Sequence, residues 1–163
     1  MKTLLLLRHA KAENAAPGLT DLSRALNERG RQEAHAIGTF IKKQSLKFDL
    51  VLCSTAARAR ETAELVLVAS ELTANARYDQ NIYEAGPQRL LEVISEIDEN
   101  TNTVLLVGHN PGMEELLQLL TDHNEQMGTG TLAKIELNAD EWSKVLDGKA
   151  SLDWIVKPTE RKR

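Results

Sequence analysis

Leu4-Leu5-Leu6-Leu7-Arg8-His9 begins with four apolar residues in a row and closes on a charged and a nucleophilic one. An unbroken apolar run without alternation reads as a strand buried on both faces, as in a parallel sheet covered by helices. The pattern returns at Val104-Leu105-Leu106-Val107, which runs into Gly108-His109-Asn110-Pro111, and a shorter version stands at Leu50-Val51-Leu52-Cys53 before Ser54-Thr55. Helical patterns separate these runs. Ala34, Ile37, Gly38 and Ile41 share one face after a plausible N-cap at Asn27, and residues 57–70 are rich in Ala, Glu, Leu and Arg. Pro87 opens a helix with Leu90, Leu91, Ile94 and Ile97 at core spacing, and Met113, Leu116, Leu117 and Leu120 mark another. A short strand is expected over 76–78, and later strands over 131–137 and 151–156, where Leu152, Trp154 and Val156 alternate toward one face. Alternating strands and helices predict a three-layer α/β/α fold with a mainly parallel central sheet and helices on both faces.

At 163 residues, 42% apolar and 27% charged, the chain fits one globular domain, expected over 1–157 with a short basic tail over 158–163. The net charge is -4 and the basic residues are scattered, which argues against nucleic acid as a partner. No stretch approaches the roughly 18 apolar residues of a membrane span. The apolar run at the N-terminus is too short for a signal-peptide core, and the single Cys53 excludes an internal disulfide framework and suits a reducing compartment. A cytoplasmic location is expected.

In an open α/β sheet, ligands bind outside the carboxyl ends of the strands. Arg8-His9, Ser54 to Arg58 and Gly108-His109 each follow a strand, so three polar clusters should converge on one rim. Two arginines and two histidines there would offer fixed positive charge and planar donor forks to a phosphoryl group. A neutral imidazole is a competent nucleophile near pH 7, and neighbouring Arg8 and Arg58 disfavour its protonation. The chemistry these residues suggest is attack by His9 on phosphorus, with Arg8, Arg58 and His109 neutralising the phosphoryl oxygens, followed by hydrolysis of the phospho-His9 formed. No metal and no cofactor are called for. Each cluster alone has an ordinary reading as an ion pair, a turn or a solvated helix charge; their convergence separates the two readings. Glu84 reads equally as a general acid and as a surface carboxylate. His35 and His123 fall in no metal-ligand spacing. Cys53 and Arg58 lack the Cys-x5-Arg spacing of cysteine phosphatases, and the Gly128-x-Gly130 segment precedes a strand instead of linking strand to helix.

The same residues resemble the histidine phosphatase superfamily, whose fold is phosphoglycerate mutase-like, and within it the small SixA-type phosphohistidine phosphatases. Leu6-Leu7-Arg8-His9-Ala10 is similar to the N-terminal Arg-His-Gly motif, with Ala10 for glycine; Ser54-Thr55-Ala56-Ala57-Arg58-Ala59-Arg60-Glu61-Thr62 is similar to Ser-Pro-x-x-Arg-Ala-x-x-Thr, with Thr55 for proline. Val107-Gly108-His109 is similar to the late Gly-His motif. Residues 20–30 resemble the SixA-branch stretch Asp-x-x-Arg-Pro-Leu-x-x-x-Gly, with Ala25 for proline and with Asp21 and Arg24 as rim residues. The resemblance implies that His9 is phosphorylated, that Arg8, Arg58 and His109 hold phosphate, and that Glu84 falls where larger relatives carry the acid for an alcohol leaving group.

No insertion between motifs is long enough to form a lid, so an open rim suited to a phosphorylated side chain of another protein is expected. Transfer from a substrate histidine exchanges one P–N bond for another and asks little of an acid. A phosphohistidine-bearing protein of the phosphotransfer or phosphorelay type is therefore the expected partner. A small phosphate monoester is the alternative substrate, for which Glu84 would be required. A non-catalytic phospho-ligand binding module is the alternative from another class; it would need donors but no nucleophile.

Overall fold

The computed structural model describes residues 1–147 and 150–158. Its strands are β1 (Lys2–Arg8), β2 (Leu50–Cys53), β3 (Asn75–Tyr78), β4 (Thr103–Gly108), β5 (Leu132–Leu137) and β6 (Ala150–Val156). Its helices are α1 (Glu28–Lys43), α2 (Ala57–Ser70), α3 (Pro87–Ser95) and α4 (Gly112–Thr121), and short 3-10 turns cover Asp21–Ser23, Gln80–Ile82 and Trp142–Lys144. The strands form one sheet in the order β3-β2-β4-β1-β5-β6; the first four are parallel and the last two antiparallel.

The apolar runs are central because they can be. Leu4 to Leu7 and Val104 to Val107 are at most 1% exposed and pair in register at the middle of the sheet. Leu4, Leu6, Val104 and Leu106 face a core closed by α3 and α4, while Leu5, Leu7, Leu105 and Val107 face one closed by α1 and α2. Helices on both faces make the expected three layers. Asn27 caps α1 by accepting from Gly30 N at 2.8 Å. Ile97 lies beyond the end of α3 but stays buried in the same core as Leu90, Leu91 and Ile94.

The expectation that Leu152, Trp154 and Val156 share a face is corrected. Register slips between Lys134 and Ile135, so that Lys134 pairs with Trp154 but Ile135 with Leu152, leaving Asp153 as the extra residue of a β-bulge. Leu152 therefore packs on the α3/α4 side while Trp154 and Val156 pack on the α1/α2 side. From Thr159 on, the expected basic tail lies outside the described residues, while Pro158, its first residue, is buried.

Two glycines set the approach of helices to the loops at the strand ends. A Cβ on Gly30 would meet Lys11 O at 1.9 Å, and one on Gly112 would meet Ala85 O at 2.0 Å. The first turns of α1 and α4 thus press directly on the backbone just after His9 and just after Glu84, closer than any side chain allows. No described helix is long and apolar enough to cross a membrane.

Candidate active site

β2, β4 and β1 are neighbours, and backbone pairing continues past their ends: Ser54 N donates to Val107 O at 3.1 Å and His9 N to Gly108 O at 3.0 Å. The three polar clusters are thereby fixed side by side at the carboxyl edge. They line one cavity of about 310 Å³ whose walls include Arg8, His9, Arg58 and His109 together with Lys11, Asp21, Arg24 and Glu84.

His9 is 8% exposed, and its Nδ1 lies 2.7 Å from Ala10 O. A carbonyl only accepts, so Nδ1 carries the proton and Nε2 keeps its lone pair. Ala10 fits without strain: its methyl is buried in the α1/α2 core and its N–H donates to Thr62 Oγ1 at 3.0 Å. Thr62 Oγ1 in turn donates to Arg58 O at 2.7 Å, tying the His9 loop to the first turn of α2. His109 stacks at an angle on His9, with ring centroids 5.1 Å apart. Its Nε2 is 2.8 Å from Ser54 Oγ, which accepts from Ala56 N at 3.2 Å. The Ser54 hydroxyl, with one lone pair still free, can either donate to His109 Nε2, which puts the ring proton on Nδ1, or accept from it.

Arg58 is 4% exposed and is held at the far end of its fork: Nη1 donates to Asp21 O at 2.8 Å and Nη2 to Asp21 Oδ2 at 3.0 Å. Asp21 also accepts from Tyr83 Oη at 2.5 Å and from Arg24 Nε at 3.0 Å. It is thus more than a rim residue, being the hub that joins Arg24, Arg58 and Tyr83. The Tyr83 hydrogen bond, then those of Arg58 and Arg24, hold the Asp21 carboxyl down to about 2, and the same bond pushes the Tyr83 phenol up to about 12. Arg8 Nη1 donates to Met127 O at 3.0 Å, and Asn110 and Glu114 fix that segment through Met127 O and Met127 N. Glu84 is exposed at the cavity wall with a left-handed backbone, φ 51°. Cys53 is buried in the α1/α2 core, which pushes its thiol up and keeps it away from the cavity chemistry.

Three nitrogens in this cluster, Arg8 Nε, Arg58 Nε and His109 Nδ1, are buried and have no hydrogen-bond partner among the described residues. An unmet buried donor costs roughly 1–3 kcal/mol. All three belong to residues that line the one cavity, where the Arg8 and Arg58 charges suit an anion with several oxygens.

The family model of the histidine phosphatase superfamily, branch 1, matches residues 4–87. This chain belongs to the histidine phosphatase superfamily. An uncharacterized protein of Mycobacterium tuberculosis is 35% identical over 158 residues, spanning 90% of this chain and 96% of that protein. Solved structures of candidate SixA phosphohistidine phosphatases from Nakamurella multipartita and Agrobacterium tumefaciens superpose with a TM-score of 0.84 each, at 29% and 32% identity. They cover 96% of this chain, with 96% and 98% of their own lengths covered. The phosphoglycerate mutase-like fold is shared. Within the superfamily match lie Arg8, His9, Asp21, Arg24, Arg58 and Glu84, whereas His109 lies beyond it and joins the site only through β4.

Tyr83 and the Met127 carbonyl were not legible as site groups in the sequence. Tyr83 stands next to Glu84, a position that flags it, and it meets the His109 ring edge-on at 5.5 Å. A backbone carbonyl, by contrast, leaves no sequence signal at all.

Burial first, then the Arg58 and Arg8 charges, lowers His9 from 6.5 to about 4; burial first, then His9 and Arg58, lowers His109 to about 3. The sign for stability follows. Between pH 6.5 and about 4 the unfolded chain takes up protons at these histidines and the folded chain does not, so acidification through that window destabilises the fold. Urea unfolding at pH 7, 5.5 and 4.5 should show stability falling with pH, with a shallower fall in His9→Ala. An equal slope in the variant contradicts this assignment.

Proposed function

We propose that this chain is a phosphatase that accepts a phosphoryl group on His9 Nε2 and passes it to water, and that its donor is phosphohistidine on a partner protein. The observation that carries the reading is the gathering of His9, with its Nε2 unprotonated, and of Arg8, Arg58 and His109 around one cavity.

In the first step His9 Nε2 bonds to phosphorus as the bond from phosphorus to the donor's ring nitrogen breaks, and that nitrogen keeps the electron pair. The proton stays on Nδ1, donated in a hydrogen bond to Ala10 O, which suits the positive ring that develops in phospho-His9. In the second step water bonds to phosphorus, the P–Nε2 bond breaks, and both water protons leave with the phosphate. Arg8, Arg58 and His109 supply donors to the equatorial oxygens in both steps. A donor imidazole whose other nitrogen is protonated leaves neutral, so the transfer needs no acid from the protein. An alkoxide leaving group does need one, and Glu84, which lines the cavity, would supply it.

Glu84→Gln distinguishes the donors. With a phosphohistidine-bearing protein or phosphoramidate, turnover should change by less than about threefold, while hydrolysis of a phosphate monoester should fall on the order of 100-fold. Steady-state phosphate release measures both. An equal, large loss with both donor types contradicts the phosphohistidine assignment and favours a monoester phosphatase.

A further inference from the structure

A cavity of about 310 Å³ stands at the low end of small-molecule pockets, which run from roughly 300 to 1,000 Å³. Its charged walls take one phosphorylated side chain, and the rest of a protein donor must lie on the rim. The most prominent part of that rim is the segment 13–23, in which every residue is exposed. The segment is nonetheless pinned. Glu13 N donates to Ala25 O and Arg24 Nη1 to Glu13 O, each at 2.8 Å, and Thr20 caps the turn Asp21–Ser23. Asp21 and Arg24 line the cavity, and between them Leu22 is 43% exposed; Leu19, one turn earlier, is 40% exposed.

Among the described residues the other exposed large hydrophobics are Met1, Val68, Leu119 and Leu146, none of them within three positions of a cavity-lining residue. Single exposed leucines are ordinary. Two of them on a pinned segment that also supplies two walls of the cavity are placed where a docking partner must touch, and a pre-ordered segment loses little entropy on binding.

We infer that Leu19 and Leu22 form the docking face for the protein that presents phosphohistidine to His9, a proposal that rests on the phosphatase reading above. The occupant is a folded protein surface with an apolar patch beside its phosphorylated histidine. A metabolite contained by the cavity has no use for this face.

The test compares wild type with the double variant Leu19→Ser/Leu22→Ser on two donors: phosphoramidate, and a histidine phosphotransfer domain phosphorylated beforehand. The expected result is a kcat/KM for the protein donor lower by about ten- to a hundredfold, chiefly through KM, with phosphoramidate turnover held within about twofold. Retained phosphoramidate turnover also shows that the variant is folded. Unchanged use of the protein donor overturns the proposal. Equal loss on both donors overturns it as well, since the leucines would then be organising the site. Wild type that uses phosphoramidate but not the protein donor overturns docking alone, whereas wild type that uses neither overturns the phosphatase reading and docking with it.

Discussion

His9→Ala is expected to lower turnover of any phosphoryl donor by at least roughly 10,000-fold, because it removes the nucleophile proposed to carry the phosphoryl group between donor and water. Phosphate binding should survive. Arg8, Arg58 and His109 keep their positions in the variant: Arg8 through Met127 O, Arg58 through Asp21, and His109 through Ser54. The Arg8 and Arg58 charges at the cavity wall should still hold an anion. Inorganic phosphate should accordingly raise the Tm of His9→Ala about as much as that of wild type, since a ligand that binds only the folded state stabilises it by mass action. Retained turnover in this variant would remove His9 from the mechanism. Loss of the phosphate effect would show that the imidazole holds the fold of the site and does more than react.

Arg58→Ala should have the second-largest effect and a different signature. Turnover should fall by about 100- to 1,000-fold, the scale for removing a preorganised donor of transition-state charge. The phosphate-induced rise in Tm should also largely disappear. Two causes act together. The guanidinium no longer meets the phosphoryl oxygens, and Asp21, left with Arg24 and Tyr83, is less fully neutralised at the cavity wall that faces the incoming anion. Arg58→Lys should recover little, since an ammonium cannot hold Asp21 O and Asp21 Oδ2 as two prongs of one planar group. Calorimetry in phosphate and steady-state rates on the same preparations read both effects. An Arg58→Ala protein that binds phosphate like wild type would contradict this account of the residue.

Much of this architecture is legible because its central strands are buried on both faces. Leu4 to Leu7 and Val104 to Val107 suit strands buried on both faces, and the rule that ligands sit at strand ends then places Arg8-His9 and Gly108-His109 together. Arg58 is legible for the same reason, since it falls in the first turn of the helix that leaves β2. What the residues did not reveal depends on contacts without a side-chain signature. The bulge at Asp153 swaps the faces of β6, and an alternating pattern cannot announce a residue that will be left unpaired. The position of Asp21 in the sequence suggests only a rim charge, yet its carboxylate and carbonyl bind Arg58, Arg24 and Tyr83 across 62 positions of chain. Ala10 stands where the resembling motif has glycine, and only the structure shows that its methyl fills the core beside α1 and α2.

The most direct measurement is mass spectrometry of the intact protein and its peptides, taken milliseconds to seconds after mixing with a phosphohistidine-bearing protein and quenched without acid, which would cleave the P–N bond. The account predicts one added phosphoryl group, located on the peptide that contains His9 and absent from His9→Ala. Phosphate released with no phosphoryl group ever on His9 would contradict it. So would binding of the phosphoprotein with neither transfer nor release, which would make this chain a reader of phosphoryl groups and no phosphatase.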